Sequence, residues 1–183
     1  MESKKLNLGC GTKIKAGWIN LDIAPGSGID VVHDIEKLPL PFKNGEFEEV
    51  LCEDILEHVE YIPVLRDIHR ILKNGGSAMI RVPHFTSKTN FIDPTHKKRF
   101  SIETFDFFVS GTKRYRKRPY YFDFAFEHCR EVKIDFEYGS PEFFLNPTVE
   151  RIVNRSSRMQ KLYESTFLSR IFPANNIYIV LVK

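Results

Sequence analysis

Two glycines and several carboxylates lie where short apolar runs of the sequence end. Gly9-Cys10-Gly11 follows the run 6–8, and glycines at a strand end let the backbone turn sharply and approach a ligand closely. Asp22 closes a second apolar run, where its carboxylate can accept hydrogen bonds from both hydroxyls of a ribose. Asp34 follows a third run and can accept from an adenine amino group, while the backbone N–H of Ile35 donates to the ring. These residues predict a site for an adenosine-containing ligand.

Three further side chains are candidates for moving a proton. His84 follows a fifth apolar run, and Asp93 and His96 lie in the loop after it. A hydroxyl or carboxyl group needs a base when it acts as a nucleophile, and we take these residues as candidate catalytic groups. Asp93 is equally suited to capping a turn before Pro94, and the histidines are equally suited to a polar loop.

The pair Glu57-His58 offers two side chains of the types that bind a metal ion. A metal site needs further ligands at suitable spacing, and the sequence has no second acid–histidine pair at such a spacing. We therefore expect no metal.

A site for the dinucleotide NAD also combines a glycine turn with an acid that binds a ribose, and it is the main alternative interpretation. Its fingerprint has a third glycine, which lets the following helix pack closely, whereas position 14 of this chain is isoleucine. The acid that binds the ribose of NAD lies about 20 residues beyond the glycines, whereas Asp22 lies only eleven beyond Gly11. Both observations disfavour NAD.

The segment 112–121 interleaves cations with aromatic residues, and the second half of the chain is basic. Residues 1–83 contain 10 Lys/Arg and 13 Asp/Glu, and residues 84–183 contain 17 Lys/Arg and 11 Asp/Glu. Such a patch can clamp phosphates or stack single-stranded bases, and it is equally typical of a solvated loop. The aromatic run 120–126 suits an acceptor pocket or packing against a sheet. The sequence leaves these alternatives open.

The elements that must position these residues follow the order of an α/β fold. Apolar runs without strict alternation are typical of strands buried on both faces, as in a parallel sheet. One helix is indicated by the helical spacing of Leu65, Ile68 and Leu72, with Pro63 in its first turn and an end at 74–76. A second helix is expected from Ser101 to about Gly111. The expected strands are 6–8, 18–23, 29–33, 50–52, 77–82, 128–138 and 176–182.

The first crossover is short. A parallel crossover usually needs a dozen or more residues, yet only six, Thr12–Gly17, separate Gly11 from Trp18. We expect a turn or an irregular connection in place of the first crossover helix.

Size and composition are those of an ordinary globular protein. The chain has 183 residues, 42% hydrophobic and 28% charged, which fits one domain with a self-sufficient core. No stretch approaches the roughly 20 apolar residues of a membrane span, and no signal-peptide core follows the first lysines. The three cysteines have no CxxC spacing. We expect a cytoplasmic protein with reduced thiols.

Four stretches together resemble the class I S-adenosylmethionine-dependent methyltransferases, and in particular the broad type 11 group. They are LNLGCGTK (6–13), GWINLDI (17–23), HDIEKLPLPFKNGEFEEVLCEDILEHV (33–59) and LRDIHRILKNGGSAMIRVPH (65–84), and they occur in the order of that family. About 80 of the 183 residues carry the resemblance. It implies a Rossmann-like α/β domain with a mostly parallel seven-stranded sheet, whose last two strands form an antiparallel hairpin with 176–182 beside strand five.

The resemblance also implies the cofactor, S-adenosyl-L-methionine, and the residues that bind it. Gly9, Cys10 and Gly11 would hold its methionine end, Asp22 with Ile23 the ribose, and Asp34 with Ile35 the adenine. Glu53 and Asp54 would line the face nearest the sulfonium. The family usually has helices around the first motif that this chain lacks, so the lid and acceptor site are expected from the segment 84–125 within a single domain, 1–183.

Three functions remain open at this point. The favoured one is a methyltransferase acting on a small-molecule or carbohydrate acceptor, with S-adenosyl-L-homocysteine as product. An RNA methyltransferase would use the basic segment 113–118, so nucleic acid is a second, less favoured partner. A non-catalytic domain that binds S-adenosylmethionine is the third.

Overall fold

A seven-stranded sheet forms the centre of the fold. The computed structural model describes residues 4–139 and 141–183. The strands run in the order β3-β2-β1-β4-β5-β7-β6, with β1 to β5 parallel and β7 antiparallel to both of its neighbours. This confirms the predicted architecture, including the place of the last strand beside the fifth. The strands are β1 (Lys5–Leu8), β2 (Ile19–Asp22), β3 (Val31–Val32), β4 (Phe47–Glu53), β5 (Leu72–Pro83), β6 (His128–Ile134) and β7 (Asn176–Val182).

Turns replace helices in the crossovers from β1 to β4, as expected for the first of them. Two buried asparagines stabilise the loop between β1 and β2. Asn7 Nδ2 donates to the Lys13 carbonyl at 2.8 Å and to Asn20 Oδ1 at 2.9 Å. Asn20 Oδ1 also accepts from the Lys15 N–H at 2.9 Å. These side chains provide partners for backbone groups that a helix would have satisfied internally.

Helix α1 (Tyr61–Ile71) is the crossover between β4 and β5. It buries Val64, Leu65, Ile68 and Ile71 against the sheet, at the spacing of one helical face. The prediction of this helix is confirmed, but its predicted end at 74–76 is wrong, because the chain becomes extended at Leu72, the first residue of β5.

The predicted helix from Ser101 is wrong: only a 3₁₀ turn, Phe105–Phe108, is found there. The polar groups at the start of this segment bind a distant residue instead of capping a helix. Glu164 accepts from the Ser101 hydroxyl at 2.8 Å and from the Ile102 N–H at 2.9 Å. The strands expected at 29–33 and 128–138 are shorter than predicted. The other helices are short and are α2 (Thr89–Ile92), α3 (Lys113–Lys117), α4 (Asn146–Val153), α5 (Ser157–Ser165) and α6 (Leu168–Ile171).

The core includes the buried face of α1 and extends into the segment 100–126. Phe100, Phe105, Phe108 and Phe126 are fully buried, and Phe100 stacks on Phe105 with ring centroids 5.7 Å apart. Much of the aromatic content of the second half of the chain therefore packs in the core.

All three cysteines are free thiols, in line with the expectation from their spacing. None of the helices in the described part of the chain has the length and apolar character needed to cross a membrane.

Candidate functional site

The glycine turn after β1 has left-handed backbone at both glycines. Gly9 has φ of 66° and Gly11 has φ of 53°. A Cβ on Gly9 would lie 2.7 Å from Ile55 Cγ1, whereas a Cβ on Gly11 would meet nothing within 4 Å. Gly9 is therefore required for packing, and Gly11 borders open space. Cys10, between them, is buried, and burial raises the pKa of its thiol.

Asp22 ends β2 beside this turn. Its Oδ2 accepts from the Gly11 N–H at 2.7 Å, and its Oδ1 accepts from the Ala24 N–H at 3.2 Å. Each carboxylate oxygen keeps a second lone pair for another donor. The turn lies where the strand order reverses, between β1 and β4, which is where open α/β sheets bind ligands. The neighbouring Ile23 is 65% exposed, so this edge is open.

Asp34 and Ile35 follow β3 on the same edge of the sheet. Asp34 Oδ1 accepts from the Glu36 N–H at 3.0 Å, which fixes a turn. The Ile35 side chain is buried in the core. Asp34 thus shares the edge with Asp22, as the sequence predicts, while the side chain of Ile35 has a packing role.

Glu53 and Asp54 lie at the end of β4. Asp54 has φ of 56°, the only positive φ of a non-glycine residue in the described ranges. It accepts hydrogen bonds from Arg81 of β5 and from Lys13, the latter at 3.0 Å. Burial raises the pKa of Asp54, but these cations outweigh burial and hold it below its ordinary value. Glu53 and Arg81 line a cleft of about 450 Å³ on the sheet.

A second cavity, of about 480 Å³, opens beside Asp54 and Arg81. Two of the three predicted catalytic residues border it, Asp93 and His96, together with Glu57 and His58. Burial of the Glu57 carboxyl raises its pKa to about 7. Burial and the neighbouring His58 lower the pKa of His96.

His84, the third predicted catalytic residue, lies elsewhere and is fully buried. Its Nδ1 accepts from the Thr86 N–H at 3.1 Å, so Nε2 carries the proton and donates to Glu164 at 3.1 Å. With both ring nitrogens engaged, His84 has none to offer an acceptor. It connects the end of β5 to α5.

The sequence did not reveal that Glu57 would face His96. The backbone N–H groups of Lys97 and Lys98 donate to the Glu57 carbonyl at 2.8 and 3.1 Å, which holds the loop after α2 against the end of β4. The only sequence signal for this cluster was the adjacent pair Glu57-His58. The third side chain, His96, lies beside this pair in the folded chain.

The basic segment is partly engaged within the chain. Arg114 pairs with Glu103, and the Arg118 guanidinium lies 5.4 Å from the centre of the Tyr121 ring. In the aromatic run, Phe124 and Phe126 are buried while Tyr120 is 78% exposed. Packing explains most of this run.

Comparisons with known proteins find a matching domain family and solved structures of the same fold. Residues 19–80 match the family described as a methyltransferase domain, Methyltransf_11. An uncharacterized protein of Methanocaldococcus jannaschii is 37% identical over 84 residues, which are 41% of this chain and 37% of that protein. The match thus spans less than two thirds of this curated relative.

Two solved structures show the same fold. A SAM-dependent methyltransferase from Archaeoglobus fulgidus superposes with a TM-score of 0.61 at 23% identity, over 99% of this chain and 86% of that one. Phosphoethanolamine N-methyltransferase 2 of Haemonchus contortus, in complex with phosphomonomethylethanolamine and S-adenosylhomocysteine, superposes with a TM-score of 0.53 at 16% identity. That match covers 100% of this chain and 49% of the other.

Proposed function

We propose that the chain is a class I S-adenosylmethionine-dependent methyltransferase, which binds S-adenosylmethionine at the glycine turn and catalyses methyl transfer. The match of residues 19–80 to a methyltransferase domain and the fold shared with a solved SAM-dependent methyltransferase support this proposal. The acceptor is a small molecule or a carbohydrate, and the product is S-adenosylhomocysteine. One observation carries the proposal: the Gly11 N–H donates a hydrogen bond of 2.7 Å to the Asp22 carboxylate. This contact lies at the point where the strand order reverses, which is where open α/β sheets bind ligands.

The residues at this edge fit an adenosyl cofactor. Open space beside Gly11 accommodates the methionine end next to Gly9 and Cys10. The remaining lone pairs of the Asp22 carboxylate accept from the ribose hydroxyls, with exposed Ile23 alongside. Asp34 and the backbone at Ile35 take the adenine.

The acceptor side is assigned to the cavity beside Asp54. This carboxylate lies at the end of β4 and borders the cavity that Asp93 and His96 also line. Asp54 forms the boundary between the cofactor edge and the acceptor, and the neighbouring Glu53 lines the cleft of about 450 Å³. The acceptor site thus uses only part of the segment 84–125, because many of its aromatic residues pack in the core.

When bound, S-adenosylmethionine supplies a methyl group on a sulfonium, which is transferred by in-line displacement. The contribution of the protein is alignment of the two reactants, an effect that reaches several kcal/mol. Hydrogen bonds of Asp22 to the Gly11 N–H and of Asp54 to Arg81 and Lys13 hold the ends of β1 and β4, where both reactants would bind.

Isothermal titration of the purified chain with S-adenosylmethionine, S-adenosylhomocysteine and NAD tests the proposal. Wild-type protein should bind both adenosyl compounds and not NAD. Asp22→Ala should weaken binding at least about tenfold, since a hydrogen bond to a charged group contributes roughly 1.5–3 kcal/mol. Asp22→Asn, which keeps one acceptor oxygen for the Gly11 N–H, should weaken it less.

Asp123→Asn is the matched control, because Asp123 is an exposed acid paired with Arg66 at the surface. A thermal scan of each variant separates lost binding from lost folding. Absence of binding by wild-type protein, or equal affinity of wild type and Asp22→Ala, would refute the assignment.

A further inference from the structure

The cavity beside Asp54 has a buried carboxylate without a partner. Glu57 is 1% exposed, and neither Oε1 nor Oε2 has a hydrogen-bond partner among the described residues. Leaving such a group unsatisfied costs at least about 1–3 kcal/mol, and native proteins rarely do so without a ligand or function. Glu57 therefore points to a ligand in the cavity.

Two histidines bring ring nitrogens to the same place. One ligand atom each of Glu57, His58 and His96 lies within 4.8 Å of the other two. Two bonds of about 2 Å span at most about 4 Å, so small side-chain rotations would bring the three atoms into contact with one ion. The His96 side chain is 6% exposed, and its Nδ1 is also buried without a partner. Two of the three side chains thus hold unsatisfied atoms.

A hydrogen-bond relay orients His58. The Thr95 hydroxyl donates its only proton to Asp93 Oδ1 at 2.6 Å, so it must accept at 2.8 Å from His58 Nδ1. His58 Nδ1 therefore carries the ring proton, and Nε2 presents its lone pair. Histidines that bind metal ions are typically held by such a second hydrogen bond, which fixes tautomer and orientation.

The loop that carries His96 is held against the end of β4 by contacts within the chain. Lys97 and Lys98 donate to the Glu57 carbonyl, and the rings of His58 and His96 pack edge to face with centroids 4.7 Å apart. The backbone contacts of Lys97 and Lys98 and the ring contact of the two histidines thus bring the three side chains together.

We propose that Glu57, His58 and His96 bind a divalent transition-metal ion, with zinc as the best match. Two imidazoles and one carboxylate form the ligand set of catalytic zinc sites, which leave a fourth position open. Here the open position faces the cavity of about 480 Å³. This revises the expectation of no metal, because the fold adds His96 to a pair that the sequence showed as isolated.

The open position would take an oxygen donor of the acceptor. That role rests on the proposed function, whereas metal binding itself does not. Failures of the two proposals are distinguishable, because zinc is titrated without cofactor and S-adenosylmethionine is titrated into metal-free protein.

The test uses protein stripped with a chelator and titrated with Zn²⁺ against a chromogenic zinc indicator. Wild type should bind one equivalent. Glu57→Gln and His96→Ala should each lose more than the roughly 10–100-fold in affinity that loss of a supporting hydrogen bond costs. His128→Ala, changed at an exposed histidine of β6, is the control and should bind as wild type does. Co²⁺ bound to wild type should show visible absorption that both ligand variants lack.

The relay gives a second, independent readout. Thr95→Val should weaken zinc binding by about 10–100-fold, and Thr95→Ser, which keeps the hydroxyl, should restore it. Melting curves of the metal-free variants establish that they fold. No zinc binding by wild type, or unchanged affinity in folded Glu57→Gln and His96→Ala, would overturn the proposal.

Discussion

The carboxylate of Asp54 accepts a hydrogen bond of 2.8 Å from Nε of Arg81. Asp54 follows β4 and Arg81 belongs to β5, and the same carboxylate also binds Lys13 after β1. One side chain therefore connects the ends of three neighbouring strands, on the boundary between the proposed cofactor and acceptor sites.

Asp54→Asn should lower the free energy of unfolding by about 1 kcal/mol at neutral pH. Hydrogen bonds to charged groups stabilise the fold, but partial exposure to solvent weakens the ion pair of Asp54 with Arg81. Asparagine tolerates the left-handed backbone. Because the fold lowers the pKa of Asp54, its contribution is complete above the ordinary value of 3.8 and is lost as the pH falls through the lowered value. Urea unfolding at several pH values measures the difference, which should be constant above about pH 5 and vanish in acid.

Gly9→Ala should destabilise the chain more than Gly11→Ala. Both changes place a side chain at positive φ, which destabilises the fold by about 1–2 kcal/mol. Only Gly9→Ala also brings a Cβ within 2.7 Å of Ile55 Cγ1. In an Ile55→Ala background the two closest contacts, to Cγ1 and Cδ1, disappear and only the Cβ at 3.3 Å remains. Gly9→Ala should then cost little beyond the strain of its backbone. Urea unfolding of the four-variant cycle measures this, and equal costs in both backgrounds would contradict the overlap.

Glu164→Ala should cost about 3 kcal/mol or more. It leaves the buried His84 Nε2, the Ser101 hydroxyl and the Ile102 N–H without their acceptor, and each buried unsatisfied group costs roughly 1–3 kcal/mol. Glu127→Ala, at an exposed position, should stay within about 0.5 kcal/mol. Thermal and urea unfolding check both, and a small effect of Glu164→Ala would show that water replaces the carboxylate.

The basic segment should not retain the chain on heparin or single-stranded RNA beyond a weak, salt-sensitive level. Arg114 is paired with Glu103, and Arg118 lies over Tyr121, so two of the five cations of 113–118 are engaged within the chain. The triple change of Arg114, Arg116 and Arg118 to alanine should leave the salt of elution nearly unchanged. A large fall would instead favour the RNA acceptor.

The parallel half of the sheet could be predicted because each of its strands is marked locally. An apolar run ends at Gly9, Asp22 or Asp34, and the structure has these residues on one edge. Local sequence patterns gave a wrong prediction where contacts with residues distant in sequence determine the structure. Ser101 resembles a helix cap, yet its hydroxyl donates to Glu164, 63 residues away, and no local pattern contains that contact.

The same limit applies to the candidate site. Glu57 and His58 are adjacent in sequence, but His96 reaches them only because backbone hydrogen bonds hold 97–98 against Glu57. His84 shows the opposite case, since its place after β5 resembles that of a catalytic residue. Its ring is buried, and its two nitrogens are engaged by the Thr86 N–H and by Glu164.

His69 should make the chain less stable as the pH falls from 7 to 5. Burial, together with the charge of Lys183, lowers the pKa of this ring, which packs edge-on against Phe126 at 5.1 Å. Below the ordinary value of 6.5 the unfolded chain binds a proton that the folded chain resists, so stability falls until the pH reaches the lowered value. His69→Gln should flatten this slope in urea unfolding, whereas His128→Gln, changed at an exposed ring, should not. An unchanged slope in His69→Gln would assign the acid sensitivity to other groups.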